Sequence, residues 1–171
     1  MKELYEALMS ENIDSNKLLE LIPDLRIMVG FNQKHPHHHL DLWEHTLYAL
    51  SLSKMDFDIR LSLLLHDIGK TYVFYEEDGV RHYPEHGDSS AEVSETILRE
   101  LGLDEDYINR ICFLIRFHDV RITPKMIDDN KEIIDDLYEI QRCDALAHNP
   151  EKLEKRIKYL EETKQLIKSK K

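Results

Sequence analysis

Apolar residues recur along the chain at the three- and four-residue spacing of a helical face, interrupted by short polar stretches that hold Gly, Pro and Asp. Two short periodic stretches, 4–8 and 18–22, predict short helices broken at Pro23 and closed near Gly30, a brace for the rest of the chain. Residues 31–40, FNQKHPHHHL, read as a loop. Asp41 with Glu44 makes a capping pair for a helix over 42–54, and a second helix fits 58–67 with Gly69 as its C-terminal stop. Residues 71–83 are rich in aromatic and β-branched types and centre on Asp78-Gly79, the dipeptide of a tight hairpin. Further helices are expected over 89–101, stopped by Gly102, over 104–118, and across 123–148, where Thr123-Pro124 is a good start. A strongly charged helix runs from 150 towards 170, its basic end read as a solvated face or fraying tail. The pattern predicts an all-α fold with one small β-hairpin near 71–83.

Composition narrows the class. A chain of 171 residues buries one sizeable core, so a single domain over 1–171 is expected, with a brace at 1–31, a core at 35–148 and the charged helix at 150–171. The net charge of −11 disfavours long nucleic acid on a broad basic surface, but leaves room for a small phosphorylated partner at a local positive site. The opening MKELYEALMSEN lacks a signal-peptide core, and no stretch approaches the roughly 18 apolar residues of a membrane span, so a cytoplasmic protein without membrane contact is expected. Cys112 and Cys143 sit in apolar stretches without CxxC spacing and read as core residues rather than a disulfide or thiolate site.

The chemistry lies in polar residues on faces that should be buried. His45 shares a face with Leu42, Ala49 and Leu52, His66 with Ile59 and Leu63, and His118 with Ile111, Leu114 and Ile115. Asp144 continues the stripe of Ile133, Leu137 and Ile140. One such histidine is ordinarily a satisfied core residue, but four coincidences that include a carboxylate need a common partner, since a buried charge must be paired or coordinate a cation. The economical reading is a metal bound by imidazole nitrogens and carboxylate oxygens.

His45, the pair His66-Asp67 in LLLHDIGK and Asp144 in QRCDALAH together resemble the H…HD…D signature of the HD-domain superfamily of metal-dependent phosphohydrolases, over roughly residues 35–148. HHHLDLWEHTLYAL at 37–50 and HGDSSAEVSETILREL at 86–101 are similar to the HD region of bacterial tRNA nucleotidyltransferases, without their nucleotidyltransferase head. The resemblance implies a compact HD-domain helical bundle and a divalent transition metal, one or two ions of Mn, Fe, Co, Ni or Zn. His45, His66, Asp67 and Asp144 are the implied ligands. His86 and His118 stand where two-metal members supply extra histidines, with Asp67 as the bridge; His86, placed in a loop before a helix, fits substrate binding equally well. Asp56 and Asp58 mimic a catalytic aspartate pair but read as helix caps.

Around these ligands, Asp67 is placed to orient or deprotonate a water, and Lys70 either reaches a phosphate or complements a helix C-terminus. Arg116, Arg121 and Arg142 are candidate phosphate clamps. Of the loop histidines His37, His38 and His39, one, taken as His38, can face substrate or serve as general acid, against the alternative of an exposed polar loop. Tyr72, Phe74 and Tyr83 either stack on a base or pack on the core. The expected function is hydrolysis of a phosphomonoester or phosphodiester in a nucleotide or RNA-end context, such as a 2′,3′-cyclic phosphate; the alternative is a non-catalytic metal- or nucleotide-binding module.

Overall fold

Side-chain caps start five of the ten α-helices that build the molecule, seen in a computed structural model that describes residues 1–171. Helices α1 (Lys2–Leu8) and α2 (Ser15–Leu21) come first, and Pro23–Met28 adds a 3-10 helix. Asp41 and Glu44 form a complete capping box at the start of α3 (Leu42–Ser51). Asp56 accepts from the Ile59 amide to open α4 (Phe57–Leu65), so the capping reading holds for Asp56. Asp58 does not cap: its carboxylate takes the Tyr107 hydroxyl at 2.5 Å and Arg110 Nε at 3.1 Å.

The expected hairpin is shorter than its aromatic composition suggests. Residues Lys70–Val73 form the short helix α5, and only β1 (Tyr75–Glu77) and β2 (Val80–His82) pair, antiparallel, around Asp78 and Gly79 in positive φ. Phe74 stacks under Arg81 and meets Phe31 edge-on, while Tyr72 is exposed; neither faces the histidine cluster. Helix α6 (His86–Glu100) begins three residues before the expected start, so His86 is its first residue rather than part of a loop. Asp104 caps α7 (Glu105–Arg116). The expected stretch 123–148 divides into α8 (Pro124–Asp129), opened by Thr123, and α9 (Ile134–Leu146). Helix α10 (Glu154–Lys170) buries Leu160, Thr163 and Ile167, while its basic end from Lys168 to Lys171 is exposed, as the reading of a solvated face expects.

One cluster of 32 buried apolar side chains runs from Leu4 to Ile167. Helices α6 and α7 form the tightest pair, and α4 packs against both α7 and α9. Arg60, 4% exposed, ties the N-terminal brace to α4 by donating to the carbonyls of Leu8 and Ser10. Gly69 is not a left-handed stop. A Cβ there would lie 2.3 Å from the Ser90 amide, so glycine is needed for the close approach of α6. Gly87 faces the Arg116 carbonyl in the same way, at 2.5 Å. Cys112 and Cys143 are buried and unpaired, and no helix is long and apolar enough to cross a membrane.

Candidate metal centre

Five helical segments deliver six side chains to one buried point. His45 comes from α3, His66 and Asp67 from the turn after α4, His86 from the start of α6, His118 from the turn after α7 and Asp144 from α9. Ligand atoms of His45, His66, Asp67 and Asp144 all lie within 4.8 Å of one another, and those of Asp67, His86 and His118 form a second such group. Asp67 belongs to both. Its Oδ2 faces His66 Nε2 at 3.2 Å and His45 Nε2 at 3.6 Å, while Oδ1 faces His118 Nε2 at 3.4 Å and His86 Nε2 at 3.5 Å.

The backbone sets the tautomers. A carbonyl only accepts, so the Nδ1–H groups of His66, His118, His86 and His45 donate to the carbonyls of Leu63, Ile115, Tyr83 and Ala147, at 2.6, 2.6, 3.0 and 3.2 Å. Each neutral ring then turns an Nε2 lone pair inwards. Two consequences fit a cation. His86 Nε2 and His118 Nε2 converge at 3.2 Å, a contact between lone pairs unless positive charge lies between them. His45 Nε2 meets Asp144 Oδ1 at 2.9 Å, an acceptor facing an acceptor in the neutral tautomer. Buried His66 Nε2 and Asp67 Oδ1 make no hydrogen bond at all. The donor set of imidazole and carboxylate therefore suits a divalent transition metal.

Burial opposes ionisation of Asp67, yet His66, Lys70 and His118 hold its carboxyl well below the usual range. Burial likewise opposes ionisation of Asp144, which His148 and His45 keep low. Burial and the neighbouring His118 push His86 down to about 4, so its ring is neutral.

An open cleft of about 200 Å³ borders the cluster, with His35, His37, His38, Tyr83, His148 and Arg156 among its walls. Lys70 is 4% exposed and donates to Asp67 Oδ2 at 2.7 Å and Gln33 Oε1 at 3.1 Å. That contact replaces the helix-dipole reading, since Lys70 opens α5 rather than closing α4. His37 and His38 line the cleft, whereas His39 is exposed and borders a separate hollow with Gly30 and Asp41. Arg121 lines a neighbouring cavity. Two candidates are not brought to the cleft: Arg116 is paired with Asp88 on the surface, and Arg142 is held by Glu139 and the Leu52 carbonyl. Sequence reasoning missed His148 and Arg156. His148 was within reach, because it follows Asp144 by one helical turn.

A model of the HD domain matches residues 37–163. The chain belongs to the HD domain family. Among curated proteins, this HD chain is 29% identical over 139 residues to a CC-adding tRNA nucleotidyltransferase of Thermus thermophilus, covering 74% of the chain and 32% of that relative. It is 31% identical over 144 residues to an A-adding tRNA nucleotidyltransferase of Deinococcus radiodurans, covering 76% of the chain and 33% of that relative. The HD chain thus spans about a third of the length of these relatives.

Proposed function

We propose that the chain is a metal-dependent phosphohydrolase acting on a phosphomonoester or phosphodiester of a nucleotide or RNA end, such as a 2′,3′-cyclic phosphate. The observation that carries this reading is the convergence of four inward Nε2 atoms and two carboxylates on one buried point that opens into a cleft. His45, His66, Asp67 and Asp144 would hold one cation, and Asp67, His86 and His118 would hold a second. Bound there, such cations lower the pKa of water towards neutrality and offset charge on phosphoryl oxygens.

The chain's own groups do the rest. Lys70 Nζ keeps the Asp67 carboxylate ionised and oriented, and the four backbone carbonyls fix each ring with Nε2 inwards. His38, whose ring centroid lies 4.5 Å from that of His148 in the cleft, stands where a leaving oxygen departs and donates a hydrogen bond to it, while His148 is oriented by donating its Nδ1–H to the Asp144 carbonyl at 2.7 Å. The relatives act on tRNA, which supports a nucleotide or RNA-end substrate for this chain.

The test combines elemental analysis of wild type and Asp67→Ala with assays of a generic phosphomonoester, a generic phosphodiester and 2′,3′-cyclic AMP. One or two ions per chain and hydrolysis of at least one substrate are expected, both lost in Asp67→Ala. Bound metal without any hydrolysis would reduce the chain to a binding module, and no bound metal after reconstitution would sink the reading altogether.

A further inference from the structure

Beyond the histidine cleft, a second cavity of about 230 Å³ lies across Asp144 and His118, between the turn after α7 and helices α9 and α10. Its walls are mixed. Val120, Ala145 and the ring of Tyr159 offer apolar surface, Arg121 and Arg156 offer cations, and Asp119 and Asp144 add carboxylates. The floor is rigid: the Tyr159 hydroxyl donates to Gln141 Oε1 at 2.9 Å and accepts from the Ile122 amide at 3.1 Å, and Gln141 Nε2 donates to the carbonyls of Phe117 and Val120.

The two arginines differ from most of the others, and Arg26, which also lacks a carboxylate partner, is exposed on the 3-10 helix outside both cavities. Arg81, Arg99, Arg110, Arg116 and Arg142 each hold a carboxylate, and Arg60 is spent on the brace. Arg121 and Arg156 have no carboxylate within 4.0 Å, in a chain where acidic residues outnumber basic ones by 34 to 23. Arg121 lies 5.8 Å from the centre of the Tyr159 ring, an edge suited to stacking a planar group. Arg156 lines both cavities, so one guanidinium overlooks the metal-ligand cluster on one side and the apolar slot on the other. Its charge reaches the cleft, since after burial it is among the causes that lower His35, His37 and His148.

We infer that this second cavity is the nucleoside subsite of the enzyme, with Arg156 gripping the phosphate and the base lying in the slot of Val120, Tyr159 and Arg121. The inference rests on the phosphohydrolase reading and deepens it: the substrate carries one nucleobase next to the scissile phosphate. The volume sets the size class. It falls below the roughly 300–1,000 Å³ of sites for drug-sized ligands, so it admits one ring system and not a run of bases. A fork of guanidinium donors beside a planar hydrophobic wall recognises phosphate and ring together, which a bare phosphate cannot exploit.

Binding of 5′-AMP, ribose 5-phosphate and inorganic phosphate to the metal-loaded protein tests this by calorimetry, in wild type, Arg156→Ala and Val120→Trp. Both substituted positions are at least partly exposed, so the fold tolerates the changes. AMP is expected to bind more tightly than ribose 5-phosphate. Arg156→Ala should weaken both about tenfold to a hundredfold, the size of a lost charge-assisted hydrogen bond. Val120→Trp, which fills the slot, should weaken AMP alone. Equal affinity for AMP and ribose 5-phosphate, or AMP binding indifferent to both substitutions, overturns the subsite. The two proposals fail separately. Selective AMP binding with no hydrolysis removes the enzyme reading and keeps the subsite, whereas hydrolysis with no preference for the nucleoside does the reverse.

Discussion

At the scale of single residues, the centre is a problem of charge placement. Asp67 and Asp144 are both buried and both held ionised, and of the nearby cations Lys70 is the one in direct contact with Asp67. In metal-free protein a proton makes up part of the difference: burial pushes His66 down, but Asp67 and Asp144 beside it raise it to about 10. The folded state therefore binds this proton more tightly than the unfolded chain, whose histidines titrate near 6.5. Stability from His66 is fully present below about pH 6.5 and is lost as pH rises through about 10. The carboxylates have the opposite sign: their contribution is present above an unfolded pKa of roughly 4 and disappears as pH falls below it. Chelator-treated protein should thus melt at progressively lower temperature from pH 7 to pH 10, while metal-loaded protein stays level over that range. Parallel melting curves for the two forms would contradict the account.

At the scale of elements, close approach between helices decides whether the second group of ligands assembles. His86 reaches Asp67 because α6 sits on Gly69, where the Ser90 hydroxyl also receives the Gly69 amide at 2.9 Å. Gly69→Ala puts a methyl group into backbone and should cost ~3 kcal/mol as overpacking. It should also lower the metal count by displacing His86, a loss that metal analysis beside thermal melting will register. An unchanged count would show that α6 adjusts without moving the ring. The same element explains what could be read from sequence. His45, His118 and Asp144 were visible because long amphipathic helices place them among apolar neighbours at offsets of three and four. The start of α6 was not visible, because Glu85 takes a positive φ of 53° without a capping side chain. Helix α5 and the break before Ile133 were likewise hidden, as packing rather than local pattern sets segments that short. Arg156 was missed for another reason: on a charged helix nothing local distinguishes a guanidinium with a task from one facing water.

At the scale of the whole molecule, the net charge of −11 coexists with a cleft whose fixed charges include Lys70 and Arg156. A short phosphorylated ligand meets only the local field, whereas a long strand must also run over an acidic surface. Extending an RNA beyond its terminal nucleotides should therefore add no affinity; anisotropy with oligonucleotides of increasing length measures this, and a steady rise in affinity with length would refute it. Topology adds one more consequence. His45 and Asp144 touch although 99 residues separate them, and the remaining ligands fall between them in the sequence. A cation held there is a non-covalent cross-link that closes a very long loop, and it acts on the folded chain much as a disulfide would. Its removal should then loosen α3, the start of α6 and the end of α9 together, as one cooperative unit seen by amide exchange, so that the supply of metal governs how long the molecule survives as well as what it can do.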